Sequence, residues 1–178
     1  MATIERLVQQ VGSARKYYVH KIVGLTETEG RWKPDSSSWN AVEITEHLFW
    51  AEQGAICGMW KTLHAHREAS MIQTSESENR GQSIEEIIAR TWKEKEIVPA
   101  SAAPRMGGAL IFWVESLNGL QNLLVAFSHD LKEEELRWPA HPHPISGPLD
   151  FQQRFEFLSF HIRRHTDQVS RLIAAMSC

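Results

Sequence analysis

Cysteine is nearly absent: Cys57 and Cys178 are the only two in 178 residues. No disulfide framework can be built from them, and a reducing, cytoplasmic compartment is the expectation. Basic excess is missing as well. The formal net charge is -3, with Lys and Arg scattered among Asp and Glu rather than gathered into a stripe. That distribution argues against a nucleic-acid partner. No uninterrupted apolar run reaches the eighteen or so residues that a membrane span needs, so no membrane partner is expected. The opening "MATIERLVQQ" is charged and amphipathic, without the apolar stretch and small-residue cleavage site of a signal peptide. Alternating strand patterns, internal repeats and low-complexity runs are also lacking, which leaves an all-α chain of single-domain size, residues 1–178.

What is present is helical periodicity. Ile4, Leu7, Val8, Val11, Ala14, Tyr18 and Ile22 recur at helical spacing, predicting a helix from about Thr3 to Val23 that stops near Gly24. After a loop rich in Gly, Pro and Ser, Ser38 or Asn40 can cap a second helix from about Ala41 to Leu63. Its inner stripe carries Ile44, His47, Leu48, Ala51, Ala55 and Gly58. Its small residues would let a neighbour approach closely. "SIEEIIARTWKEKE" opens with a capping box from Ser83 to Glu86 and reads as a shorter helix inside a long connection. Leu110–Leu131 and Asp150–Met176 complete the set, separated by "WPAHPHPISGPLD", whose four prolines exclude a helix. Four long helices with a long crossover between the second and third predict a four-helix bundle in up-down-down-up order. Apolar faces left on the outer helices would also let two copies pair as a homodimer.

"FHIRRHTDQ" sets His161 and His165 four residues apart, one above the other at the edge of the last helix's apolar face. Buried imidazoles need polar partners, so either neighbouring groups satisfy them or a cation does. His47, on the inner stripe of the second helix, supplies a third nitrogen. Three inward histidines from two helices can hold one ion and leave a position free for water or substrate. Imidazole suits zinc, nickel and iron alike. Glu43, Glu52, Glu156 and Asp167 neighbour these histidines in sequence; Glu52 is the one weighed as an acceptor for a ligand ring, and all four otherwise read as surface acids. Gln168 reads as a solvated amide within reach of the site. Trp39, Trp50, Trp60 and Trp113 are expected in the core or at bundle ends, and Trp32 and Trp138 lining a pocket. His141 and His143 are expected in an exposed loop, and Cys57 as a buried, inert thiol.

These pieces, taken in order, resemble the DinB-like (DinB and YfiT-like) metal-binding four-helix superfamily. The likeness rests on the opening helix, on "WNAVEITEHL", on "HPISGPLDFQQRF" and on "FHIRRHTDQVSRL" with its paired histidines followed by Gln. It implies that His47, His161 and His165 take the family's three metal-ligand positions. Characterised branches of that family include thiol S-transferases that conjugate bacillithiol and an isomerase that uses mycothiol. The expectation is therefore a metal-dependent enzyme with a small-molecule thiol or electrophile as partner, and a metal-bound thiolate or water as nucleophile. A non-catalytic, stress-associated metal-binding bundle is the alternative. The long connection from Thr62 to Gly108 departs from the shortest members and could cover the pocket mouth.

Overall fold

The computed structural model describes residues 3–69, 78–93 and 97–176. Among them the chain is all helical: α1 (Thr3–Ile22), α2 (Glu27–Arg31), α3 (Ala41–Glu68), α4 (Ile84–Thr91), α5 (Leu110–Asp130) and α6 (Phe151–Met176), with one 3-10 turn at Glu133–Glu135. Two isolated bridges, Pro139 with Asp150 and His143 with Gly147, tie the loop before α6. Cys178 and residues 94–96, the end of the third predicted segment, lie outside the described residues.

Local chemistry sets the helix starts. Asn40 accepts from the Glu43 amide at 2.9 Å while the Glu43 carboxylate accepts from the Asn40 amide at 2.9 Å. Ser83 and Glu86 close the same reciprocal box on α4. Asp150 and Gln153 do so at α6, at 2.8 and 3.0 Å. Each box satisfies amides that the first helical turn leaves without a carbonyl.

The four long helices bury one shared core. α1 packs against α5 and α6, and α3 against the same two helices. Tyr18, Trp113, Phe127, Phe151 and Phe155 are the largest wholly buried side chains. Lateral order is visible in cross-helix pairs: Trp50 meets Trp113, Trp60 meets Phe127 and Arg67 bonds Asp130, whereas Arg15 pairs with Glu52 and Tyr18 with Thr45. A satellite cluster of Ile84, Ile87, Leu149 and Phe157 docks α4 on α6. That docking fixes the crossover beside the two α6 histidines.

Three expectations change. α3 runs five residues past Leu63 to Glu68, because its last turn is held by charge rather than by apolar periodicity: Arg67 reaches both Asp130 and Glu135 at 2.7 Å. α2 forms inside the stretch read as loop, capped by Thr26 with Glu29. Cys57 is exposed, since it falls off the inner stripe of α3. In addition, a window of α5 has mean hydropathy 1.3 and is long and apolar enough, by length and composition, to cross a membrane. Glu115, Asn118 and Gln121 interrupt it, so it is not an unbroken apolar run. In the fold its Leu117, Leu120, Leu124 and Phe127 are buried in the bundle.

Candidate metal centre

His47 on α3 and His161 and His165 on α6 converge, with their ligand atoms all within 4.8 Å of one another. The three residues are 4, 6 and 7 % exposed. Nε2 of His161 lies 3.2 Å from Nε2 of His47 and 3.1 Å from Nε2 of His165. Two nitrogens bound at about 2.1 Å to one tetrahedral ion stand about 3.4 Å apart, so these separations suit a shared cation.

Proton placement sharpens the point. His47 Nδ1 donates to the carbonyl oxygen of Ala102 at 2.8 Å, and His165 Nδ1 donates to Gln168 Oε1 at 2.7 Å. In a neutral imidazole that leaves both Nε2 atoms as bare lone pairs. His161 Nε2 has at most one hydrogen and can satisfy only one of them. The other lone pair is then left facing a nitrogen that has no hydrogen to give it in a buried place, which a cation would relieve. Burial pushes all three rings toward the neutral form that ligates metals: His47 is lowered, His161 lies well below its ordinary value, and His165 falls to about 3, with His47 adding to its shift. The residues therefore fit a divalent transition ion.

The centre opens on a cleft of about 1420 Å³. Trp39, Trp50 and Trp92 line it, and so do Val98, Pro99 and Ala102 from the crossover. The crossover is held there by Glu46, next to His47. Its carboxylate accepts from the amides of Arg105, Met106 and Gly107 at 2.7, 2.8 and 2.9 Å. Gly107 and Gly108, at φ of 61° and 93°, supply the left-handed turn that aims these amides inward. These three bonds hold the Glu46 carboxyl below its ordinary range although burial opposes them.

The loop before α6 forms another wall. His143 Nδ1 accepts from the amides of Ile145 and Ser146 at 3.2 and 3.1 Å, and its ring lies 4.1 Å from that of Phe157. The His141 ring occupies the space a side chain at Gly58 would fill, 2.6 Å from the position of a Cβ there. Its Nε2 accepts from Arg154 Nη2 at 2.6 Å. His141 and His143 are thus half-buried cleft groups and not the exposed loop residues expected. Burial and the charge of Arg154 lower them to about 4 and about 3, with His141 adding to the shift of His143.

Glu52 is wholly buried and ion-paired to Arg15 at 2.6 Å, rather than bonded to a ligand ring. Glu43 caps α3 and pairs with Lys33, Glu156 bonds Gln152, and Asp167 lies exposed on the cleft wall. Gln168, read as a solvated amide, holds His165. Its i,i+3 relation to His165 is the signal that it shares that ring's face. Trp32 and Trp138 pack on the core instead of the cleft, and Trp92, not singled out in the sequence, takes a cleft position. Ala102 acts through its backbone, so no side-chain pattern marks it.

No curated protein matches the chain. Among solved structures, that of a conserved protein from Enterococcus faecalis is similar with a TM-score of 0.61 at 13 % identity, covering 97 % of this chain and 95 % of that one. A likeness at that identity speaks for the fold alone. Residues 10–169 match the DinB superfamily, whose members bind metal. The chain belongs to the DinB superfamily.

Proposed function

We propose that His47, His161 and His165 hold one divalent transition ion, zinc, nickel or iron, and that the protein is an enzyme acting on small molecules, most nearly a thiol S-transferase. The observation that carries this reading is the convergence of three Nε2 atoms on a large cleft, with no fourth His, Cys, Asp or Glu donor joining them among the described residues. A closed structural site would recruit that fourth ligand. When bound, the ion would act as a Lewis acid that lowers the pKa of a coordinated thiol or water.

The chain's own residues divide the remaining work. Ala102 and Gln168 fix the ring orientation of His47 and His165. Trp39 and Trp92 pack on His47 and His161 and shield them from bulk water. Cys57 does not line the cleft, so the nucleophile comes from the substrate or solvent. Asp167 is the one carboxylate among the described residues that line the cleft. The same reading takes the bundle as up-down-down-up, supported by pairs that rise together along α3 and α5 and run oppositely along α1 and α3.

Burial of the triad favours a second reading, metal binding without turnover. One experiment separates the two. Protein reconstituted with zinc, nickel or iron is given cysteine or glutathione with a chlorodinitrobenzene, and thiol consumption is followed. Turnover that disappears on chelation and in His161→Ala supports the enzyme; metal uptake without turnover across a panel of thiols and electrophiles supports the binding protein.

A further inference from the structure

Arg154 carries a buried charge that no acidic side chain meets among the described residues; its guanidinium lies 6.0 Å from the Phe157 ring centre. It is 3 % exposed, in the cleft wall, and its Nε and Nη1 meet no protein acceptor among the described residues. Its one side-chain hydrogen bond goes to His141 Nε2, a neutral group. That bond places the hydrogen of His141 on Nδ1, which is also buried without an acceptor. Three donors in one wall are therefore left over, where native proteins satisfy nearly all such groups. Burial draws the Arg154 guanidinium down to about 10, still charged at neutral pH.

Among the described residues the surrounding cleft leans to the same sign. Arg105 and Arg171 also line it, with Asp167 the lone carboxylate among the described lining residues, on a chain whose formal charge is -3. Arg154 and His161 are seven residues apart on α6, two turns along the same face, or about 10 Å.

From this we infer that the cleft takes an elongated anionic molecule, its carboxylate or phosphate held at the Arg154–His141 end while its reacting group lies about 10 Å away at the histidine triad. The substrate class in this inference rests on the triad being the reacting end; the anion subsite itself does not. Anion binding supplies the acceptors that Arg154 and His141 lack, and a charge-assisted hydrogen bond is among the stronger contacts a protein can offer. An Arg kept without an acid partner is costly to stability, which sites for ligands tolerate and purely structural positions do not.

The test uses metal-free protein, so its outcome is independent of the triad. Hexanoate, hexyl phosphate and neutral hexanamide are titrated into wild type and Arg154→Met, followed by NMR on the backbone amides of residues 141–147. Loss of a charge-assisted bond is expected to weaken anion binding about 10- to 100-fold in the variant. Hexanamide should bind wild type at least about tenfold more weakly than hexanoate. That comparison stands even if the variant does not fold. The tighter of the two anions identifies carboxylate or phosphate. Arg154→Met should melt no lower than wild type. Equal affinity in both proteins, no preference for anion over amide, or binding by neither anion overturns the subsite. Failure of the triad reading would show separately, as zinc that does not bind.

Discussion

His143 gives the sharpest test of how the cleft wall is held together. Its Nδ1 accepts from two backbone amides, those of Ile145 and Ser146, which is possible only while that nitrogen keeps its lone pair. Burial, Arg154 and His141 together lower its pKa from 6.5 to about 3. A histidine depressed in the folded state contributes stability that is complete above pH 6.5, where the unfolded chain is also neutral. That contribution is lost progressively as pH falls toward 3, because only the unfolded chain takes up the proton. At pH 5 the unfolded chain has gained about 1.5 units of protonation free energy, about 2 kcal/mol. Against a total of roughly 5–15 kcal/mol that is readily measured. Asparagine at this position can accept from the same amides without titrating. Urea unfolding of chelated protein at pH 7 and pH 5 should therefore show a fall in stability smaller by about 2 kcal/mol in His143→Asn than in wild type. Titrating groups remote from His143 contribute equally to both proteins and cancel in the difference. An identical fall would refute the assignment of His143 as a neutral acceptor locked in the turn.

Further expectations follow from the residues around the triad. Gln168→Leu removes the acceptor that orients His165 and should weaken zinc binding about 10- to 100-fold in chelator competition, whereas Gln168→Glu should retain most of it; equal affinity for Leu and wild type would contradict the orienting role. Glu46→Ala strips three backbone amides of their carboxylate and should cost about 2–4 kcal/mol. Its signature is faster amide exchange at Arg105–Gly107, and unchanged exchange there would show that the crossover is held by other means. The buried Arg15–Glu52 pair should show strong coupling: Arg15→Met alone costs about 3–5 kcal/mol by stranding Glu52, and Arg15→Met with Glu52→Leu recovers most of it. A double variant as unstable as the sum of the singles would argue against that account.

Much of this was legible in the sequence, for physical reasons that also mark where legibility ended. The long helices announce themselves because each buries one apolar stripe, and His47, His161 and His165 are visible because they sit on or beside those stripes. Asn40 and Ser83 are readable because their boxes close within three residues. α3 beyond Leu63 escaped because Arg67 is held by Asp130 and Glu135, more than sixty residues away. His141 and His143 escaped because a proline-rich loop looks solvated until its partners are known: Gly58 leaves the space for one ring and Phe157 receives the other. Arg154 has the heptad relation to His161, yet nothing in the sequence says that no acid will meet it. Trp92 and Ala102 belong to the crossover, whose path over the cleft depends on Glu46 gripping three amides.

The central claim is that one ion sits among three imidazoles with a position left free. Elemental mass spectrometry combined with X-ray absorption at the metal edge, on untagged protein dialysed without strong chelator, tests it most directly. About one transition ion per chain is expected, with a coordination shell of three imidazole nitrogens plus a light exchangeable ligand, and loss of the ion in His47→Ala, His161→Ala and His165→Ala alike. Protein that takes up no ion on reconstitution, or an ion retained when any of the three is removed, would contradict it.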